Sequence, residues 1–226
     1  MKPAKIFFEL TFILIFIIAL ISVTQANPII SQDGNLLDNG NFESGVITPV
    51  TGTGNSAFTS WNQWQQPSNA DAGLTLTTQQ VTSPLIEGNY TAYISGNHDD
   101  GLFQYNAWSE GTYTLSGWVY VVSGAAHLGL AWDNGHEAAY SSSSSTLNQW
   151  IFLQLTMTVP SSFDGPLVYA AINDTEFYAE GLWLNTGSEN NSPFQPDRFA
   201  PVPLPAAFYL FGLGMIWLIG LRRKFS

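Results

Sequence analysis

Gly111-Thr112-Tyr113-Thr114-Leu115-Ser116-Gly117-Trp118-Val119-Tyr120-Val121-Val122 is the run whose reading decides the fold class. Its side chains alternate. Tyr113, Leu115, Val119 and Val121 fall on one side, and Thr112, Thr114, Ser116, Trp118 and Tyr120 on the other. A period of two in a segment rich in β-branched and aromatic residues is the signature of a strand with one buried face. Trp150–Val159 repeats the pattern: Ile151, Leu153, Leu155 and Met157 form an apolar side, opposite Trp150, Phe152, Gln154, Thr156 and Thr158. Leu182 and Leu184 bury in the same way and leave Trp183 opposite. An outer face that carries Trp118, Tyr120, Trp150, Phe152 and Trp183 is costly to leave in water unless it is covered or used.

Outward from these two runs, strands are expected at Leu74–Val81, Ala92–Ser95, Leu102–Ala107, His127–Trp132, Leu167–Ile172 and Gly181–Leu184. Clusters of Gly, Asn, Asp and Ser separate them, and no long helical periodicity occurs. The pattern predicts an all-β domain over residues 27–184, a single antiparallel sandwich. Ser141–Ser145 is a low-complexity loop, and residues 185–201 form a polar, proline-punctuated stalk. The chain has no cysteine. No disulfide can staple the fold, so the core must hold it.

The two ends carry addresses. Lys2 and Lys5 precede the apolar run Leu10–Val23, and Thr24-Gln25-Ala26 places small residues for cleavage before Asn27. Residues 1–26 thus read as a signal peptide for signal peptidase, with an uncleaved anchor as the competing reading. At the other end Ala206–Leu221 runs without a charge and meets Arg222-Arg223-Lys224. Sixteen residues at 1.5 Å each reach ~24 Å, short of the ~30 Å hydrocarbon core unless the arginines snorkel. The basic cluster places that end in the cytoplasm.

Charge narrows the partners. Lys2, Lys5, Arg222, Arg223 and Lys224 sit in these terminal segments, which leaves Arg198 alone between Asn27 and Pro201. Sixteen of the seventeen acids lie in that stretch, all but Glu9, for a formal charge of −15. Nucleic acid and anionic lipid need Lys and Arg to replace their counterions, so both are excluded. Neutral sugars and divalent cations remain as partners. No acid pair sits in a recognisable hydrolase motif, and neither His98-Asp99-Asp100 nor Asp133-Asn134-Gly135-His136-Glu137 has zinc-ligand spacing. There is no nucleophile elbow and no phosphate-cradling loop. Catalysis is not expected.

Val202-Pro203-Leu204-Pro205-Ala206-Ala207, the apolar segment with Gly212, Gly214 and Gly220, and the basic tail closely resemble the PEP-CTERM sorting signal in its VPLPA form. The resemblance implies that Val202, Pro203, Leu204, Pro205, Arg222, Arg223 and Lys224 are read by a membrane-embedded exosortase-like protease. It further implies transient anchoring in the inner membrane, then release to the cell surface or the exopolysaccharide matrix. An ordinary tail anchor is the alternative.

Asn35-Leu36-Leu37-Asp38-Asn39-Gly40-Asn41-Phe42-Glu43, followed by Trp61, resembles the opening of carbohydrate-binding modules of families 4 and 9. Gly111–Val119 is similar to their central strand and Phe177–Leu184 to their closing strand. The resemblance implies a galactose-binding-like jelly roll, with a structural calcium held between the opening and closing strands. Glu43 falls on the acidic position of the first. Glu180 matches the first acid of the usual closing pair, and Gly181 replaces the second. On the outer face, Trp118, Tyr120 and Trp150 with Gln154 have the composition of a sugar platform, rings for C–H faces and an amide for hydroxyls. Three functions follow: an exported, non-catalytic surface or matrix protein, a module for a neutral polysaccharide, or a β-sandwich glycoside hydrolase. Coplanar exposed rings would favour the second, and a cleft with paired acids the third.

Overall fold

The structure is a computed structural model, which describes residues 29–105, 109–132, 137–159 and 163–196. The expected signal peptide and the sorting segment with Val202–Pro205 and Arg222–Lys224 lie outside the described residues. No helix among the described residues is long and apolar enough to cross a membrane.

Among the described residues twelve strands make two sheets. They are β1 (Val50–Thr51), β2 (Gly54–Asn55), β3 (Asn62–Trp64), β4 (Thr77–Val81), β5 (Thr91–Gly96), β6 (Gly101–Phe103), β7 (Gly111–Ser123), β8 (Ala126–Trp132), β9 (Glu137–Tyr140), β10 (Trp150–Val159), β11 (Phe163–Ala170) and β12 (Thr175–Thr186). The first sheet runs β1-β4-β5-β12-β7-β10 and the second β2-β3-β6-β11-β8-β9, with the strands of each paired antiparallel. One helix of five residues, α1 (Pro67–Asp71), joins β3 to β4; Pro67 sits at its N-terminus, where a missing N–H costs nothing.

The alternation of the two long runs builds the core. Tyr113, Leu115, Val119 and Val121 of β7 and Leu153 of β10 face Leu128 and Leu130 of β8 and Val168 of β11 in one cluster, with Ile151, Leu155 and Met157 packed against it. Beneath the opening segment Phe42 meets Phe58 edge-on at 5.0 Å and Trp61 at 5.3 Å, and the Trp61 Nε1–H donates to the Asn39 carbonyl at 3.1 Å. Trp61 is therefore core, its one polar atom satisfied.

β12 departs from strict alternation, and the departure positions the site. Phe177 and Ala179 are in the core, but so are Leu182 and Leu184. A bulge between Glu180 and Trp183, with Gly181 at φ +60°, absorbs the extra residue. Glu176, Tyr178, Glu180, Trp183 and Asn185 consequently share the outer face. The closing strand is twelve residues long, where alternation predicts Gly181–Leu184 and the resemblance Phe177–Leu184. β1, β2, β3 and β9 were not anticipated either. Each has two to four residues, too few to show a period. Residues 192–196 belong to a second unit, in which the Phe194 N–H donates to Ser192 Oγ at 3.1 Å.

Candidate functional site

The register of the first sheet aligns four aromatic residues in one row. Tyr93 of β5 pairs with Tyr178 of β12, Tyr178 with Tyr120 of β7, and Tyr120 with Trp150 of the edge strand β10. Ring centroids follow at 5.4, 5.8 and 5.6 Å, with interplanar angles of 53°, 74° and 67°. All four rings are half-buried. Their row runs perpendicular to the strands for about 14 Å, three inter-strand spacings. Gln79 of β4 prolongs it beyond Tyr93. The rings form no single flat platform. Neighbouring ring planes are inclined to one another, and second neighbours lie about 10 Å apart along the row.

One row towards the sandwich end, Glu176 pairs with Ser95. Burial raises the Tyr93 phenol above its ordinary range, with the Glu176 charge adding to it; Tyr178 is raised by burial and then by Glu176. Both phenols therefore remain protonated donors at neutral pH, set beside a carboxylate.

Around Trp183 the outer face is covered, while Gln154, Thr156 and Thr158 of β10 stay exposed. Past the end of β12 the chain turns back: Asn190 donates to Gln154 Oε1 at 2.8 Å, Ser116 Oγ to Asn190 Oδ1 at 3.3 Å, and Trp183 Nε1 to Asn191 Oδ1 at 2.7 Å. Thr114 Oγ1 donates to the Gly187 carbonyl at 2.9 Å. Cover of this kind removes the cost of an apolar outer face at Trp183 and leaves the ladder open.

Between the ladder and the Trp183 cover, Glu180 and its neighbouring acids tie down the loop between β4 and β5. Glu180 accepts the Ile86 and Glu87 N–H groups at 2.9 and 2.6 Å. Glu43 accepts those of Asn89 and Tyr90 at 2.8 and 3.0 Å, and Asn89 Nδ2 at 3.3 Å. Glu87 enters the same region, accepts the Ile30 N–H, and leaves its Oε1 buried without a partner. Burial raises Glu87 to about 7 and Glu180 to about 8 despite these amides, and the mutual charges of Glu43, Glu87 and Glu180 add to the rise.

The expected calcium meets a poor fit here. Glu43 and Glu180 do come to one region, but their oxygens serve loop amides, and a glycine stands where a second acid would be. Among the described residues no group of three His, Cys, Asp or Glu side chains is arranged to hold a metal ion. Amide N–H groups neutralise these carboxylates in part, as they do in anion-binding turns.

Of the expected platform, the structure brings Tyr120 and Trp150 together in the ladder. Trp118 lies on the outer side, as its alternation requires, but it is only 9% exposed, wedged edge-on against Phe152 at 5.1 Å. That leaves little of the expected Trp118 face open to a ligand. Gln154 is exposed at its edge, yet its amide oxygen is engaged by Asn190. Tyr93, Tyr178 and Glu176 were missed. The bulge at Gly181 hid the last two, since alternation counted back from Leu182 turns them inward; for Tyr93 the signal was its own alternation with Ala92 and Ile94.

A surface cavity of about 380 Å³ lies among residues 45–46 and 55–62 and has no titratable side chain in its lining. On the outer side of the second sheet His127 stacks on Tyr140 at 4.3 Å and 26°, buried, with Nε2 unpartnered. Desolvation lowers that imidazole to about 4, so it is neutral at pH 7.

No family model matches the chain, and no curated protein matches it. Among solved structures it is similar to the CBM22-1 xylan-binding domain from Paenibacillus barcinonensis Xyn10C, at TM-score 0.46 and 10% identity over 65% of this chain and 99% of that one. It is also similar to TmCBM61 in complex with β-1,4-galactotriose (TM-score 0.40, 11% identity, 68% and 99% covered) and to a CBM4 structure (0.43, 15%, 66% and 99%). All three are carbohydrate-binding modules, and the sugars named are those proteins' own.

Proposed function

We propose that this chain is an exported, non-catalytic polysaccharide-binding protein, with the Tyr93–Tyr178–Tyr120–Trp150 ladder as its binding face. The row itself carries the reading: four half-buried rings from four strands, in register, on the uncovered part of an outer face. Pyranose C–H faces pack on such rings, while the phenols, Gln79 and Glu176 bond the hydroxyls. A row about 14 Å long accepts a run of sugars lying across the strands rather than one terminal residue. Acidic polymers are disfavoured, because no Lys or Arg occurs between residues 29 and 196.

The address completes the reading. The Val202–Pro205 motif and basic tail support release by an exosortase-like protease and residence at the cell surface or in an exopolysaccharide matrix. Binding would then hold the released domain to the matrix polymer. Affinity electrophoresis of the full chain through gels containing single polysaccharides tests the binding. Retardation on at least one gel, reduced by Trp150→Ala, is the expected result; equal mobility on every gel would refute it.

A further inference from the structure

We propose that the ladder's ligand carries positive charge: a polymer of amino sugars with free ammonium groups, rather than a neutral glycan. This rests on the reading of the ladder as a polysaccharide site and specifies the class of polymer.

Two independent observations lead to it. The first is local. Among the described residues, the ionisable groups of the open face besides its phenols are carboxylates, and Glu176 pairs with Ser95 one row from the Tyr93–Tyr178 pair, close enough for its charge to act on both phenols. A neutral sugar needs acceptors and donors there but no formal charge. An ammonium group on the sugar ring gains a charge-assisted hydrogen bond from Glu176. Electron-rich ring faces on both sides add cation–π attraction.

The second observation is global. Residues 29–196 contain fifteen acids and neither lysine nor arginine. Solubility asks for net charge of either sign and is served by acids outnumbering bases. It does not ask for a domain from which cations are missing altogether. A surface of one sign steers oppositely charged chains to the face and repels acidic ones, so it selects among polysaccharides before contact is made. Glu180 and Glu87 do not contribute to this contact, since the loop between β4 and β5 buries them.

The test is isothermal titration of the full-length chain with three hexasaccharides at about pH 6: a glucosamine hexamer, its N-acetylated counterpart and a glucose hexamer. The glucosamine hexamer is expected to bind tightest. Its affinity should fall at least ~5-fold between about 50 and 300 mM salt, where the Debye length shrinks from above to below 10 Å. Glu176→Gln removes the charge at nearly constant volume, and should weaken that hexamer about tenfold and the glucose hexamer by much less. Equal, salt-independent binding of all three hexamers, still lost in Trp150→Ala, would overturn the charge assignment and leave the ladder reading in place. Binding indifferent to Trp150→Ala, or no binding at all, would overturn both.

Discussion

Gly117 of β7 leaves open the space that the Leu182 side chain occupies: a β-carbon at 117 would overlap Leu182 Cδ2 and come within 3.3 Å of the Leu182 Cα. Leu182 is the residue that re-enters the core after the bulge of β12. The glycine on one strand and the bulge on its neighbour are thus one device. It shifts the phase of the closing strand and turns Glu176 and Tyr178 outward, towards the ladder.

Gly117→Ala should therefore cost ~1–3 kcal/mol by overpacking. In a Leu182→Ala background, where the space is empty, the same change should cost much less, or nothing. Urea melts of the four proteins give the coupling directly.

Trp118 and Trp150 should separate stability from binding. Trp118 is buried against Phe152, so Trp118→Ala should cost about 3 kcal/mol of stability. Trp150, half-buried on the edge strand, should cost about 1 kcal/mol and affect retention on polysaccharide instead. Melting curves beside affinity gels check the pair. Equal losses of stability would show that both rings are structural.

His127 predicts an acid-sensitive fold. Its native pKa lies at about 4 against 6.5 for the free side chain, because burial penalises the charged ring. The unfolded chain takes up the proton first as pH falls, so stability is lost between about pH 6.5 and pH 4, by on the order of 2–3 kcal/mol. His127→Gln should flatten that limb of the stability–pH curve.

Glu87 and Glu180 act at the opposite limb. Their native values of about 7 and 8 lie above the ordinary 4.5, so the stability of the protonated forms is present at low pH and lost as pH rises through 7 to 8. Glu87→Gln keeps an acceptor for the Ile30 N–H and should raise the melting temperature at about pH 8 by a few degrees, but not at about pH 5. Calcium or a chelator should leave the melting temperature of the parent protein unchanged, since amides already occupy the oxygens of Glu43 and Glu180. A calcium-induced rise of several degrees would reverse that assignment.

The sandwich was legible because its longest strands are nearly ideal. In β7 and β10 every second side chain is apolar, and the structure buries that side of both. Thr175–Thr186 was legible only at its end, because a bulge breaks the period that the eye follows. The ladder was half legible for the same reason. Tyr120 and Trp150 announce themselves on regular strands, whereas Tyr178 needs the bulge and Tyr93 needs the register of β5 on β12, a relationship between residues 85 apart in sequence. Trp118 shows the converse limit. Alternation tells which side a ring takes, not whether another part of the chain covers it.

Side-chain NMR of the full-length chain during titration with a bound oligosaccharide tests the central claim most directly. The ladder reading predicts shifts concentrated at the Tyr93, Tyr178 and Tyr120 rings and the Trp150 indole, with Trp61 and Trp64 unmoved. Shifts centred instead on Trp64 and Tyr140 of the second sheet, or a saturating ligand that moves none of the four ladder rings, would contradict it.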